Sequence, residues 1–481
     1  MNLAKSSLKM FVARAFKAAF GFLAVIIFSR KLGASPLGTY YPFLALLGIV
    51  GLPADLGIGE ATNKRLSEGT KKSSYLGAAL VLKTPIVLIV GILVLIFEQY
   101  VNQFLGADLA LLFVVTLFVK MAGGFSMAVL RGELRVGETA ILEVIRPLSW
   151  LVVGYLFYLK GYGVRGLIYG YLFGSLLMAI IGWWKVSIPI GRPTIKHAKS
   201  ILEYAQFSAV SSIGGFFYSW IDVAVMTMFV VVGTGVTRGD VGAYENAWRL
   251  ALVVMLVGKS IAITLFPQLS RWDAEDATDR IESAIPSALL PSLLLVIPAF
   301  VGTLILSEDL LRVLYGPEFT VAWLALIVLA AGKIPQSLHI LLSQALNGID
   351  RPDLAAVAAV ISAILNLVFN VVLIWQFGLV GAAIATTLAF AVNTLLHAYF
   401  LNKFVDIHLP VREAGWSIVA SGVMGVCVYT LHSLVAIESI YSLLGVVLVG
   451  GVVYGAVVLM YEPIRSEAQR VLRPLVNTAT S

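Results

Sequence analysis

The chain has 481 residues, 59% of them hydrophobic and only 13% charged, with a mean hydropathy of +0.93. An ordinary soluble domain carries about 25% charged residues, so the composition excludes a soluble globular protein and describes an all-α, polytopic membrane protein. The net charge of +7 sits on no soluble basic face of the kind a nucleic-acid partner requires, and the single Cys427 excludes both a disulfide framework and a Cys-based metal site.

A transmembrane helix needs about 20 mostly apolar residues. By that measure fourteen spans are expected, at 8–29, 39–59, 75–98, 108–130, 139–159, 163–184, 205–232, 240–266, 285–306, 322–346, 354–376, 379–402, 414–436 and 440–461. Arg14 and Lys17 interrupt what would be the apolar region of a cleavable signal, so the first stretch reads as a retained span. An even count places both termini on one side. The loops on that side carry twenty Lys and Arg, among them Lys64, Arg65, Lys71, Arg131, Lys196 and Arg271, against six on the other, Arg30, Lys31, Lys160, Arg165, Arg238 and Arg312. The positive-inside rule then predicts a multi-pass protein of the cell membrane with cytoplasmic termini.

Three turns repeat in order. Leu130-Arg131-Gly132-Glu133-Leu134-Arg135 matches Leu346-Asn347-Gly348-Ile349-Asp350-Arg351, Gly161 to Gly166 matches Gln376 to Gly381, and Leu37-Gly38-Thr39-Tyr40 matches Val241-Gly242-Ala243-Tyr244. The expected organisation is two six-helix bundles, 1–190 and 200–403, then two further helices over 412–461 and a cytoplasmic tail over 462–481. Six spans are even, so the repeats are parallel, an arrangement that places a substrate site at the repeat interface near mid-membrane and moves by rocking. Gly166, Gly170 and Gly174, and likewise Gly451 and Gly455, read as small-residue helix-packing faces.

Eight cations stand inside the apolar stretches: Arg14, Lys17, Lys83, Lys120, Arg146, Arg249, Lys259 and Lys333. Each uncompensated one costs about 2.5–3.5 kcal/mol at mid-bilayer. Only Asp222, Glu245 and Glu143 are expected at comparable depth, so pairing within the chain leaves an excess of positive charge and points to a cavity that receives an anion. Arg14 and Lys17 share a helical face, Lys120 and Lys333 occupy the same span of each half, and Glu245 precedes Arg249 by four residues, the spacing of a local ion pair. Lys83 before Thr84-Pro85 and Arg146 before Pro147 have a second reading, snorkelling or bonding to a carbonyl freed by the proline. Asp222 couples a cation or pairs with a base.

Enzyme readings fare poorly. Gly258-Lys259-Ser260 ends like a phosphate-binding loop, but Val253 stands where the first glycine belongs and no strand precedes it. The acidic run Asp273 to Asp279 reads as a solvated helix cap, and the histidines, His197, His339 and His408 among them, are too dispersed for a metal site. No cofactor is expected.

Ser29-Arg30-Lys31-Leu32-Gly33 followed by Leu37-Gly38-Thr39-Tyr40, Ala54 to Gly59, Ala247-Trp248-Arg249-Leu250, Phe266 to Arg271, Leu314 to Phe319 and Asn347 to Pro352 resemble Wzx-type polysaccharide-biosynthesis flippases of the multidrug, oligosaccharidyl-lipid and polysaccharide exporter superfamily. The resemblance covers nearly the whole chain. It implies translocation of a polyprenyl-phosphate-linked glycan, with Arg14 and Lys17 foremost among the cations expected to meet its phosphate, with membrane lipids as surroundings and glycosyltransferases or an oligosaccharyltransferase of the same pathway as partners. The tract Asp55 to Asn63 resembles archaeal, halophilic members, which implies a dolichol-type carrier and a glycan bound for protein N-glycosylation and the surface layer. The alternatives are a cation-coupled drug or metabolite antiporter of the same superfamily, which would need buried carboxylates where this chain has cations, and a membrane scaffold of a glycan-assembly complex, in which those cations could be neutralised harmlessly.

Overall fold

A backbone immersed in hydrocarbon has no water to bond with, so long apolar runs close their hydrogen bonds within themselves and become helices. The computed structural model describes the backbone of residues 3–467 and 469 and the side chains from residue 16 onward, apart from 207, 210–218, 257, 260, 263, 264, 267 and 468. Every regular element among them is helical, with no strand. In chain order these are α1 (Leu3–Leu32), α2 (Ala34–Ile49), α3 (Gly51–Asp55), α4 (Ile58–Ser67), α5 (Lys72–Ile96), α6 (Glu98–Leu105), α7 (Ala110–Gly132), α8 (Val136–Leu159), α9 (Gly163–Lys185), α10 (Ile195–Val232), α11 (Arg238–Ala251), α12 (Met255–Ala274), α13 (Thr278–Leu314), α14 (Trp323–Gly348), α15 (Pro352–Leu401), α16 (Val411–Leu434) and α17 (Ile440–Val458).

Ten helical stretches among the described residues are long and apolar enough to cross a membrane. Three of the expected regions take a shape other than a single straight span. Span 39–59 breaks after Ile49 and again at Leu56 and Gly57, both left-handed at φ 45° and 75°. Span 240–266 is divided between α11 and α12 by a 3-10 turn at Leu252–Val254. Spans 354–376 and 379–402 run together as the 50-residue α15, kinked at Gly378, whose φ of 57° and ψ of −134° no helix contains. Apolar side chains cover the outside, as at Val81 and Ile96 of α5 and Leu448 and Val452 of α17. In water such a surface would aggregate; here lipid is its solvent.

The chain divides into two compact units, Met1–Gly242 and Ala243–Ser481. Two of the three repeated turns match in a left-handed residue. Leu134 and Asp350 are left-handed at φ 62° and 56°, and the Arg135 and Arg351 N–H groups donate to the Leu130 and Leu346 carbonyls at 3.0 and 2.9 Å. Gly163 and Gly378 match at 53° and 57°, and a further pair that the sequence does not advertise, Lys71 and Asp276, matches at 47° and 52°.

In the first unit α8 and α9 approach closely. A Cβ on Gly170 would stand 2.7 Å from the Gly154 amide nitrogen, and one on Gly174 would stand 2.9 Å from the Arg146 Cα. The expected glycine face on α9 is therefore a close-approach surface, and it brings Arg146 against α9. The corresponding expectation for α17 is corrected. Gly451 and Gly455 meet nothing within 4 Å, and it is Gly450 that packs, against Val428; the stripe was assigned one residue off the contact line.

Replacing Gly170 with Val should cost about 1–3 kcal/mol by overpacking, read as a lower thermal midpoint in detergent. Gly422→Ala, where a Cβ meets nothing within 4 Å, should leave the midpoint unchanged or raise it, since glycine in a helix is about 0.5–1 kcal/mol worse than alanine. Equal midpoints for both variants would show that the α8–α9 approach is looser than described.

Candidate anion site and the comparisons

The break after α2 leaves carbonyls without helical partners, and a helix C-terminus attracts cations. Lys120, midway along α7, meets this need: its Nζ donates to the Leu47 carbonyl at 2.9 Å. On α8, Arg146 lies over the Tyr171 ring of α9, 5.3 Å from guanidinium carbon to ring centre, with an Nη2 contact of 3.5 Å to Met178 Sδ. Its Nε is buried without a hydrogen-bond partner among the described residues. Lys120, Arg146 and Tyr171 are close enough to act on one another electrostatically. Among the described residues neither cation has a carboxylate partner.

Two other cations expected within the membrane in this unit are compensated. Lys17 on α1 pairs with Glu143 on α8 at 2.7 Å, one turn before Arg146. Lys83, buried on α5, pairs with Asp55 at the end of α3 and lies 5.2 Å from the centre of the Phe125 ring, beside a 250 Å³ groove lined by Phe118, Met121 and Trp183. The expectation that only Asp222, Glu245 and Glu143 lie deep enough to pair is thus corrected. Asp55 sits 28 residues before Lys83, on a separate helix created by a backbone break that hydropathy does not reveal. The second reading of Lys83, bonding to a carbonyl freed by Pro85, gives way to this ion pair. Arg14 lies on α1, with its side chain outside the described residues; Asp222 is buried on α10.

In the second unit the local pair expected from spacing is present: Arg249 meets Glu245 at 2.7 Å on α11. Lys333 on α14 is only 1% exposed. Its ammonium stands 3.4 Å from the centre of the Trp248 ring and donates to Gln336 Oε1 at 2.9 Å, a cation held by an aromatic face and an amide. Lys259 on α12 is exposed. The equivalence of Lys120 and Lys333 in span position therefore does not extend to their surroundings. A cavity of about 560 Å³ lies in the same unit, lined by Val254, Leu294, Phe300, Leu326, Met424 and Tyr454. Its wall is almost wholly apolar, the Tyr454 hydroxyl being occupied by the Leu294 carbonyl at 2.8 Å.

Sequence reasoning missed Tyr171, Asp55 and His397, since each acts through a helix distant in sequence. The dispersed histidines include one pair the fold assembles: His339 and His397 have ring centres 4.7 Å apart. Two imidazoles are still too few for a metal centre, and no group of three or more metal-ligating residues occurs among the described residues.

Lys83→Met alone should lower stability by about 2 kcal/mol, because it strands Asp55. That is less than the 3–5 kcal/mol of a fully buried pair, Asp55 being one-third exposed. The double variant Lys83→Met, Asp55→Leu should recover most of the loss. Thermal unfolding of the four proteins in the cycle measures it, and additive losses would show that the two side chains are not coupled.

Comparison with known proteins places this geometry in a lineage. The family described as lipid II flippase MurJ matches residues 70–459. The probable low-salt glycan biosynthesis flippase Agl15 of Haloferax volcanii is 43% identical over 99% of this chain and 100% of its own length. The probable flippase AglR of the same organism is 29% identical over 98% of each. The solved structure of lipid II flippase MurJ in an inward closed conformation superposes with a TM-score of 0.79 at 19% identity, covering 97% of this chain and 99% of that one, which shows a shared fold. With its family match spanning most of its length and a full-length relative at 43% identity, the chain belongs to the MurJ family of lipid-linked glycan flippases.

Proposed function

We propose that the chain carries a polyprenyl-phosphate-linked glycan from the cytoplasmic to the outer leaflet, with Lys120, Arg146 and Tyr171 receiving the phosphate. The observation that carries this reading is the charge balance of the first unit. Lys17 and Lys83 have carboxylate partners; Lys120 and Arg146 do not, among the described residues. Two unpaired cations held among helices cost about 5–7 kcal/mol on insertion scales, a cost that an anionic headgroup removes. Arginine supplies a planar fork for phosphate oxygens, lysine a point charge, and the tyrosine hydroxyl a neutral donor. The step moves lipid and makes no bond, so nothing in it calls for a nucleophile or a metal.

A Wzx-type, surface-glycan cargo on a dolichol-type carrier is the finer reading. It is supported by the motifs at Ala54–Gly59 and by the glycan-biosynthesis name of the Haloferax volcanii relative, while the matching family is named for lipid II. The glycosyltransferases that build the glycan and an oligosaccharyltransferase that uses it would be its pathway partners. Arg14 with Lys17, and Arg249, Lys259 and Lys333, remain secondary contacts in this proposal, with Asp222 and Glu245 as ion-pair or coupling groups. Two parallel six-helix repeats, 1–190 and 200–403, would supply the rocking motion.

Cells carrying Lys120→Gln with Arg146→Gln should hold the protein at normal levels, since neutralising buried charge lowers the insertion cost. They should lose surface glycan at least tenfold while lipid-linked glycan accumulates facing the cytoplasm. A Lys120→Arg, Arg146→Lys exchange keeps both charges and should retain more activity. Normal export in the double Gln protein would remove the pair from the phosphate site.

Cytoplasmic termini follow from the asymmetry of twenty basic residues against six. Cysteines introduced near residues 70, 195 and 275 should react with impermeant reagents only from the cytoplasmic side, and those near 162 and 312 only from outside. Reversed labelling at two of these sites would invert the map.

A further inference from the structure

We propose that the segment joining α9 to α10, together with the start of α5, forms a docking surface for the phosphate headgroups of anionic lipids, on the side that the positive-inside asymmetry assigns to the cytoplasm. The segment is pinned at two points. Glu133 Oε1 accepts from the Ser187 and Ile188 N–H groups at 2.8 and 3.0 Å, and the Gly191 N–H donates to the Ser73 carbonyl at 2.9 Å. A Cβ on Gly77 would stand 2.0 Å from the Gly191 carbonyl oxygen, so the segment crosses α5 at its first two turns, where the expected span 75–98 begins. The rings of Tyr75 and His197, 4.5 Å apart and edge to face, bring the start of α10 to the same level. These contacts fix the depth of the surface at the boundary between hydrocarbon and water.

Two kinds of side chain meet there. Trp184, Ile190 and Ile195 are 82%, 67% and 88% exposed, an unfavourable arrangement in water and an ordinary one at headgroup depth, where tryptophan and apolar side chains insert. Interleaved with them are Arg192, Lys196 and Lys199, while Lys71 and Lys72 stand at the start of α5; all are exposed except the half-buried Lys72. Two stretches far apart in sequence thus bring five cations to one surface. The carboxylates of the neighbouring elements are already taken: Glu68 by Lys64 and Arg65, Glu60 by Arg131, Glu133 by Arg135, and Glu138 by Arg135 and Lys185. Among the described residues none of the five cations has an ion pair, and the exposed Glu203 on α10 is the one nearby carboxylate outside a pair. The fold itself does not ask for this charge. The matching turn of the second unit, left-handed at Asp276 as the first is at Lys71, carries Asp276 and Asp279 and no lysine at the equivalent places. Basic residues at headgroup depth draw anionic lipid over a Debye length of about 10 Å. A free phosphate offers the same oxygens but no acyl chains to cover Trp184, Ile190 and Ile195, and this selects the lipid as the occupant.

The full chain in phosphatidylcholine liposomes, probed in turn with spin-labelled phosphatidylglycerol and spin-labelled phosphatidylcholine, reports how strongly each lipid is immobilised at the protein. The parent should prefer the anionic lipid by roughly threefold or more. Lys71→Gln, Lys72→Gln, Arg192→Gln, Lys196→Gln and Lys199→Gln together should remove about half of that preference or more. The charge-keeping set, with Arg192→Lys and the four lysines changed to arginine, should preserve it. If the five-site variant fails to insert, Arg192→Gln with Lys196→Gln and Lys199→Gln serves, with a smaller loss in the same direction. Neutralising Lys403 and Arg412, exposed cations expected on the same side in the second unit, should leave the preference unchanged. Lys120→Gln with Arg146→Gln should also leave it unchanged, which separates this surface from the proposed cargo site. Inorganic phosphate, added at constant ionic strength, should not displace the labelled lipid. A parent protein indifferent to the two lipids, or a five-site variant that keeps the full preference, would overturn the docking surface. An equal loss on neutralising Lys403 and Arg412 would reduce it to general surface charge, and displacement by phosphate would reassign it to a soluble anion; either result overturns the proposal.

Discussion

A charge held among hydrocarbon chains must meet a counter-charge, a dipole or water, and this requirement organises the polar interior of the protein. In the first unit, carboxylates on α3 and α8 neutralise Lys83 and Lys17. In the second, Glu245 neutralises Arg249 and the Trp248 face receives Lys333. Lys17, Lys83 and Lys333 are compensated across helices and Arg249 within one. Lys120 and Arg146 are different, for they are held by a carbonyl and an aromatic ring, partners that orient a cation and leave its charge unbalanced. That imbalance is what the proposed phosphate site rests on.

Backbone irregularity supplies the other half of the design. Helix breaks inside a membrane are tolerated where protein re-satisfies the freed groups. The break following α2 exposes carbonyls to Lys120 and creates the short α3 that delivers Asp55 to Lys83. The kink at Gly378 divides α15, whose second half carries Phe390, Asn393 and His397 toward α14. Close glycine packing of α9 on α8 then fixes Arg146 over Tyr171. Each polar contact of interest thus depends on a place where a helix departs from a straight, isolated rod.

The sequence made the helical class plain because hydropathy over twenty residues is a local property. Two of the repeated turns were legible for a related reason: Leu134 and Asp350, and Gly163 and Gly378, share a positive φ at matching places in the repeat. Glu245–Arg249 was legible because its four-residue spacing makes the contact within one helix. Asp55–Lys83, Tyr171 beneath Arg146, and the His339–His397 pair were not, since which face of one helix meets which face of another depends on packing that periodicity does not encode. The stripe at Gly451 and Gly455 failed on the same ground: small residues permit close approach, but a neighbour must be there to make it.

The proposed reading assigns the two cations of the first unit that lack carboxylate partners among the described residues, Lys120 and Arg146, to the phosphate of a lipid-linked sugar. Its central claim concerns the charge of the headgroup. Native mass spectrometry of the purified chain with dolichyl phosphate and with uncharged dolichol tests it most directly. The account predicts that the phosphate-bearing lipid binds at least tenfold more tightly, and that Lys120→Gln with Arg146→Gln erases this preference while leaving dolichol binding unchanged. Equal binding of the two lipids by the unaltered protein would contradict it.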